Sequence, residues 1–291
     1  MDLKKIYSLR GPVLAWLETR VGQWGAYIDQ MSSRQGLYPL FGDSARGVAA
    51  TVPQLVKYAG IPVLGTLPRA FDLAGILGLE TADWYAVMNG AEPAPVYNPG
   101  HAHSDMLSFE LYFRGRPVIV DIGVYGYEDN PYRWQERSTR AHNTVMVDDR
   151  EIHEVWGTFR VGRRSRGITS ADTAKMRVSA GYNGRANTVK RTMAVQDDIV
   201  TITDEFIFMP RHRFVTRFHF APGLKVTPGE HACAFEGNGI QGDLTGPPNA
   251  VTYIEEYACI REFGKRAAGQ CVVVSGTSAG QEYGIMCKEN E

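Results

Sequence analysis

Apolar residues recur at helical spacing in the first part of the chain. After Pro12 they follow a period of three to four residues, at Val13, Leu14, Trp16, Leu17, Val21, Trp24, Ile28 and Met31. This period, starting at a proline, predicts an amphipathic helix. Residues 52–58 and 71–79, set off by Pro and Gly, predict two more short helices. These helices are too few for an independent bundle, so we expect them to pack on another part of the protein.

From about residue 100 the apolar positions alternate with polar ones. Residues 106–113 alternate, and Arg114-Gly115 predicts a tight turn into a second strand at 117–121. Further strands are predicted at 143–147, 175–180, 188–195, 199–208, 214–220, 251–260, 270–275 and 283–287. Many short antiparallel strands separated by turn residues are typical of a β-sandwich.

The Pro-rich segment 91–95 lies where the two patterns meet. We therefore predict a helical domain at residues 1–92 and an antiparallel β-sandwich at 93–291. The predicted fold class is mainly β, with a short all-α segment in front of the sandwich.

Composition excludes some function classes. A net charge of -1 over 291 residues does not fit the basic surface of a nucleic-acid-binding domain. No run of about 20 apolar residues is present, so no membrane span is expected. The N-terminus lacks the apolar segment of a signal peptide, so none is expected either.

The four cysteines lie in the last quarter of the chain without a CxxC pair. Because Cys259 and Cys271 sit in apolar strand-like segments, buried thiols are favoured. Two disulfides remain the alternative.

Three of the seven histidines lie between residues 101 and 142, beside carboxylates. His101 and His103 are two residues apart, so in an extended segment they project to the same side. With Asp121 and His142 they form a set that suits zinc or acid–base chemistry. The alternative is that they are hydrogen-bonded structural residues. Only a structural role is expected for the other four: His153, His212, His219 and His231.

A loop rich in tyrosine, residues 123–132, lies between Asp121 and His142. Tyr127 and Tyr132 are the candidates for proton donors or bases, although packing is the ordinary role of a tyrosine. Arginines are concentrated just after this loop, between residues 133 and 166. They are either solvated strand residues or a site for an anionic ligand.

Several short motifs in this region resemble the heparinase II/III-like polysaccharide lyases. Their order and spacing agree over about 45 residues. They are Gly100-His-Ala-His-Ser-Asp105, Leu107-Ser-Phe-Glu-Leu111, Val120-Asp-Ile-Gly123, Tyr127, Arg137-Ser-Thr139 and Ala141-His-Asn-Thr-Val145. The earlier segment 38–44 resembles the end of that family's helical domain.

The resemblance implies an (α/α) toroid followed by an antiparallel β-sandwich, with the active cleft between them. It implies cleavage of uronic-acid-containing, and in some members sulfated, polysaccharides by β-elimination. Carried over by motif, His101 is the active-site histidine, and His103, Asp121 and His142 hold a zinc ion. Position and chemistry add Arg137 and Asn143 as substrate-binding residues. The resemblance also implies a periplasmic or extracellular location.

One departure from the family is evident. Family members take their principal base and acid from the toroid, and residues 1–35 contain no matching Asn-His or His-Tyr motif. We therefore expect self-association, or another chain that supplies the missing helices. A non-catalytic carbohydrate-binding or assembly module is the alternative function, and a metal-dependent hydrolase is a third.

Overall fold

The computed structural model describes residues 11–33, 35–60, 68–95, 97–184, 188–207, 211–229 and 232–290. Within these ranges the helices are α1 (Pro12–Met31), α2 (Val52–Ala59) and α3 (Pro131–Glu136), with a 3-10 turn at Thr139–Ala141. The predicted helices at 13–31 and 52–58 are confirmed as α1 and α2. The predicted roles of His231 and of the first residues of the chain lie outside the described residues.

The first sheet has five antiparallel strands in sequence order. They are β1 (Arg69–Leu73), β2 (Ile76–Glu80), β3 (Trp84–Asn89), β4 (Phe109–Phe113) and β5 (Arg116–Ile119). Every residue of β3 and β4 is buried, because both faces of the sheet are covered. One face joins the main core, and on the other Tyr85, Val87 and Tyr112 pack with Leu37 and Phe41.

Two larger antiparallel sheets and one small one complete the fold. The eight-stranded sheet has the order β14-β15-β16-β19-β12-β11-β10-β9, and the four-stranded sheet has the order β17-β18-β13-β6. A hairpin of β7 and β8 forms the fourth sheet. Their bounds are β6 (Val145–Val147), β7 (Glu154–Trp156), β8 (Arg160–Gly162), β9 (Arg166–Asp172), β10 (Arg177–Asn183), β11 (Thr188–Gln196), β12 (Ile199–Ile207), β13 (His212–His219), β14 (Lys225–Pro228), β15 (Ala232–Gly237), β16 (Ile240–Thr245), β17 (Val251–Glu262), β18 (Lys265–Ser278) and β19 (Gly280–Glu289).

A single apolar core joins the three large sheets, which confirms the predicted mainly β fold with an antiparallel sandwich. Phe218 on β13 packs against Tyr283 on β19 with ring centroids 4.8 Å apart, and against Phe109 on β4 at 6.0 Å. Strand β12 shows why the sequence folds this way, since its buried residues alternate with more exposed ones.

The predicted helix at 71–79 is wrong. These residues form the hairpin of β1 and β2, in which Phe71 pairs with Gly78 and Leu73 with Ile76. The turn residues Ala74 and Gly75 both have positive φ, 52° and 90°, which suits a two-residue hairpin and ends any helix.

The predicted boundary at residue 92 divides one sheet. Strand β3 precedes it and β4 follows it, yet the two pair from Trp84↔Phe113 to Met88↔Phe109. The sheet extends to β1, so strands begin at Arg69. Of the helices in the described ranges, only α1 and α2 precede the first sheet.

All four cysteines are buried and free, as the apolar surroundings of Cys259 and Cys271 indicated. On α1, Trp16 and Trp24 are more than half exposed and no residue is buried. Within the described ranges, no helix has the length and apolar character needed to cross a membrane.

His153 gives the fold a dependence on pH. It is buried, its Nδ1 accepts a hydrogen bond from the Ser165 N–H at 3.2 Å, and burial lowers its pKa to about 4. An unfolded chain binds this proton near pH 6.5, so stability is lost as pH falls from about 6.5 towards 4. We expect His153 to contribute a loss of about 1.4 kcal/mol per pH unit in that interval.

Denaturant unfolding of the wild type and of His153→Gln between pH 7 and about 4.5 measures this contribution. The other titrating groups are common to both proteins, so the variant should show the smaller loss of stability on acidification. Parallel curves would show that His153 does not titrate as its burial implies.

Candidate functional site

Asp43 lies at the centre of the candidate site, in the loop between α1 and α2. Two buried carboxylates hold this loop, since the Leu40 N–H donates to Glu110 Oε1 (3.2 Å) and the Gly42 N–H donates to Asp105 Oδ2 (3.0 Å). Asp43 then reaches three groups, His101, His103 and Arg133. Sequence reasoning identified the motif around Asp43 but gave this residue no role.

The Asp43 carboxylate determines which ring nitrogen of each histidine carries a hydrogen. Burial alone raises its pKa, but the hydrogen bonds from His103 and Arg133 hold the pKa of Asp43 well below its usual range. An ionised carboxylate only accepts, so His101 Nδ1 (2.9 Å) and His103 Nε2 (2.8 Å) must both donate to it. The remaining nitrogen of a neutral His101, Nε2, therefore carries a lone pair.

His101 is open to solvent, whereas the groups behind it are buried. Its side chain is 64% exposed, while those of Asp43 and His103 are at most 4% exposed. The predicted same-side projection of His101 and His103 is confirmed, because each contacts one oxygen of Asp43. An exposed imidazole oriented by a buried carboxylate is the arrangement of a general base and its orienting group.

Arg133 is the second site residue to which the sequence gave no individual role, although it belongs to the arginine-rich segment after the tyrosine loop. It lies on α3, is buried, and its Nη2 donates to Asp43 Oδ2 at 2.9 Å while Nε donates to the Thr158 carbonyl at 3.2 Å. Its guanidinium also lies 5.2 Å from the ring centroid of Tyr127. α3 is short but well started, because Asn130 Oδ1 accepts from the Arg133 N–H.

The two candidate tyrosines have different surroundings. Tyr127 lies beside His101, with ring centroids 6.2 Å apart, and burial together with the charge of Asp43 raises its pKa. Tyr132 instead stacks on Arg266 at 4.5 Å and lines a separate cavity with Glu136 and Arg140. Among the described residues, Tyr132 makes no contact with His101. The predicted catalytic role of Tyr132 therefore receives no support.

The structure buries the side chain of Arg137, which gives no support to its predicted role in substrate binding. Arg137 is fully buried, and its guanidinium donates to the carbonyls of Ala102, Trp156, Gly157 and Arg160 at 2.8–3.4 Å. Because these donors are used by the backbone, Arg137 fixes the β7–β8 hairpin against residue 102 instead of binding substrate.

Asn143 also has a structural position. It is buried, and its side-chain N–H groups donate to the carbonyls of Phe109 and Val120 at 2.9 Å. Its Oδ1 accepts from the His219 N–H at 2.7 Å. Asn143 thus links β4, the end of β5 and β13, and its predicted contact with substrate is replaced by a role beneath the site.

His142 and Asp121 form a buried pair next to His103. His142 Nδ1 donates to Asp121 Oδ2 at 2.8 Å, and the rings of His142 and His103 lie 5.3 Å apart. Burial lowers the pKa of His103. At His142 burial also acts to lower the pKa, but the charge and hydrogen bond of Asp121, together with the charges of Asp105 and Glu151, outweigh it and raise the pKa. His103, Asp121 and His142 therefore lie close together in the structure, as the sequence predicted.

Two of the three residues predicted to hold zinc present a ring nitrogen that a metal ion could use. Among the residues that the structure describes, His103 Nδ1 and His142 Nε2 are buried and have no hydrogen-bond partner, so each is available to a metal ion. Asp121, however, accepts a hydrogen bond from His142 Nδ1. A carboxylate in this position orients a metal-binding histidine and does not itself bind the metal. In the described part of the chain, no three His, Cys, Asp or Glu side chains are arranged around a common metal position. The two histidines fit zinc, but a three-residue ligand set is not formed.

The chain is similar in sequence to a known protein family. A family model described as heparinase II/III-like, C-terminal, matches residues 64–285. Among curated proteins, none matches the sequence significantly.

Solved structures share the fold at low sequence identity. A heparinase III structure matches with a TM-score of 0.71 and 15% identity, covering 100% of this chain and 52% of its own. The heparan sulfate lyase HepC from Pedobacter heparinus matches with a TM-score of 0.69 and 15% identity, covering 89% and 45%. The chain thus spans about half the length of these structures.

Proposed function

The chain belongs to the heparinase II/III-like family, and we propose that it serves in the cleavage of uronic-acid-containing polysaccharides by β-elimination. The observation that carries this proposal is the exposed His101, oriented by the buried Asp43 and adjacent to Tyr127. The solved structures named heparinase III and heparan sulfate lyase share the fold, which supports the choice of a uronate polymer.

β-Elimination needs a base at C5 of the uronate and an acid at the leaving oxygen on C4. In the proposal, His101 Nε2 takes the C5 proton, and the ionised Asp43 stabilises the imidazolium that forms. The electron pair of the C–H bond forms the C4–C5 double bond, and the C4–O bond breaks. Tyr127, whose raised pKa keeps its proton on the hydroxyl at neutral pH, donates that proton to the leaving oxygen.

A panel of polysaccharides tests the reaction: heparan sulfate, heparin, chondroitin sulfate, hyaluronan, alginate and pectate. Elimination creates a carbon–carbon double bond conjugated with the carboxylate, which absorbs in the ultraviolet. We expect an increase in absorbance with at least one polymer and a loss of about 10²-fold or more in His101→Ala, the low end of what a general base contributes. His212→Ala, a histidine outside the site, is the control. No unsaturated product from any polymer contradicts the proposal.

Zinc remains a proposal for this site. His103 Nδ1 and His142 Nε2 would hold the ion, with Asp121 orienting His142. When bound, zinc would supply a fixed positive charge and would link the segment of His103 to that of His142. The two histidines themselves are buried behind His101, so their task is to keep the wall of the site in place.

Metal content checks this assignment without reference to activity. Protein purified without chelator should contain about one zinc per chain, since imidazole nitrogens are ordinary zinc ligands. His103→Ala should lose most of it, and His212→Ala, which removes a buried histidine elsewhere, should keep it. Equal metal content in both variants contradicts the assignment.

Glycan binding without turnover is the second candidate function. The exposed aromatic rings near His101 favour it, because aromatic faces stack on sugars whether or not a bond is cleaved. Measurable affinity for a polysaccharide that stays intact would favour this candidate over the lyase.

A further inference from the structure

Three exposed aromatic rings surround the opening at His101. Tyr127, Phe159 and Phe263 are 41%, 46% and 42% exposed. The ring of Tyr127 lies 5.8 Å from Phe159 and 5.6 Å from Phe263, and Phe159 lies 6.4 Å from the ring of His101. The three rings come from separate segments of the chain, so they meet only through the fold. We call this set the aromatic platform.

The platform is held by buried polar groups. Phe159 is at the tip of the β7–β8 hairpin, whose backbone carbonyls at Trp156, Gly157, Thr158 and Arg160 accept from the buried guanidinium groups of Arg133 and Arg137. Arg133 lies 5.8 Å from the Phe159 ring centroid as well as beneath Tyr127. Two fully buried arginines therefore hold in place a ring that is itself half exposed.

Phe263 is displayed in a similar way from the opposite side. It lies in the turn between β17 and β18, and the next residue, Gly264, donates its N–H to the Tyr125 carbonyl at 3.1 Å. Gly264 has a φ of 74°, which suits a glycine in a tight turn. This hydrogen bond connects the turn to the loop that carries Tyr127.

The chemistry of the platform identifies its ligand. Exposed aromatic rings grouped beside titratable groups mark binding sites more often than chance exposure does. The rings carry no charge, and the cation near them is buried and already paired with Asp43. Such a surface suits the C–H face of a pyranose ring better than a sulfate or a free carboxylate, and a polymer offers such faces on either side of the cleaved bond.

We propose that Tyr127, Phe159 and Phe263 stack on one sugar ring of the polysaccharide, next to the ring that reacts at His101. This inference deepens the proposed function and rests on it for the position of the reacting ring. It adds that substrate affinity comes from aromatic stacking at this position.

Binding and turnover are measured separately to test this. Oligosaccharides from the panel are titrated by calorimetry into the wild type, Phe159→Ala, Phe263→Ala and Tyr127→Phe. Each alanine variant should weaken binding by about tenfold, since one stacked ring contributes on that scale. Tyr127→Phe keeps the ring, so it should bind as the wild type does while losing turnover.

The matched control is Tyr253→Ala on β17, which removes an aromatic residue that is 43% exposed and outside the platform. It should leave affinity unchanged, and thermal unfolding of each variant should match the wild type because all these side chains are exposed. Affinity that survives both Phe159→Ala and Phe263→Ala overturns the platform, as does a wild type that binds none of the oligosaccharides. Ring-dependent binding without unsaturated product would support the platform and overturn the lyase. Unsaturated product with unchanged affinity in both variants would support the lyase and overturn the platform.

Discussion

Asp43→Ala should lower the free energy of unfolding by about 3–5 kcal/mol, the usual cost of leaving one partner of a buried ion pair unpaired. Arg133 is fully buried, and Asp43 is its only carboxylate partner among the ion pairs of the described residues. Removing the carboxylate also frees the Nε2–H of His103 and the Nδ1–H of His101. We therefore expect the loss of stability to be accompanied by loss of the orientation of His101.

Denaturant unfolding measures this effect, and a double-mutant cycle separates its parts. Asp43→Leu combined with Arg133→Met removes both charges and should be less destabilised than Asp43→Leu alone, because no charge is left unpaired. If the double variant is as unstable as the sum of the single variants, Asp43 and Arg133 do not interact as the structure shows.

Arg191→Ala should have a comparable effect in the sandwich core. Arg191 and Asp204 face each other across β11 and β12 and are fully buried, with Nε and Nη2 each 2.7 Å from one carboxylate oxygen. Arg191 Nη1 also donates to the carbonyls of Leu107 and Asn143 at 2.8 and 2.7 Å. Loss of this side chain leaves the buried Asp204 without its cationic partner, with the hydrogen bond from Gln281 Nε2 at 3.1 Å retained, and leaves two carbonyls without partners. We therefore expect about 3–5 kcal/mol of destabilisation.

The neighbouring pair on the same two strands provides the control. Lys190 and Glu205 are 2.9 Å apart, but both are exposed to solvent. Lys190→Ala should change the free energy of unfolding by less than about 1 kcal/mol, as exposed pairs usually do. If Lys190→Ala and Arg191→Ala lowered the free energy of unfolding equally, burial of the Arg191–Asp204 pair would not explain the cost of losing it.

The parts of the fold that the sequence could predict are those with a local cause. Strand β12 alternates because one side faces the core, and α1 follows a helical period after Pro12. The turn at Arg114 and Gly115 was recognisable because these two residues separate two strand-like segments, and the structure gives both a positive φ, 48° and 78°, as a two-residue hairpin requires. The hairpin at 71–79 was missed because a short apolar segment fits either period.

The residues of the site that were missed depend on contacts between distant segments. Asp43 contacts His101 and His103, which lie about sixty residues later in the sequence. It also contacts Arg133, which lies 90 residues later. No spacing rule relates such positions. The position of Phe159 likewise depends on carbonyl contacts made by buried arginines, which a list of residue types cannot show.

The same limit explains the errors at Arg137 and Asn143. Both belong to motifs that lie close to the site in sequence, and both residue types often bind anionic or polar ligands. Their side chains turn inward because several backbone carbonyls near them need donors. Burial, which decides between the two roles, follows from the complete fold.

The reaction performed at His101 is tested most directly by product mass in heavy-oxygen water. The wild-type chain is incubated with each polysaccharide of the panel, and the oligosaccharides are analysed by mass spectrometry, with His101→Ala as the control. Elimination predicts products that carry a double bond and no heavy oxygen, formed by the wild type and absent from His101→Ala. Saturated products that contain heavy oxygen would show hydrolysis, and they would contradict the assignment of this site to a lyase.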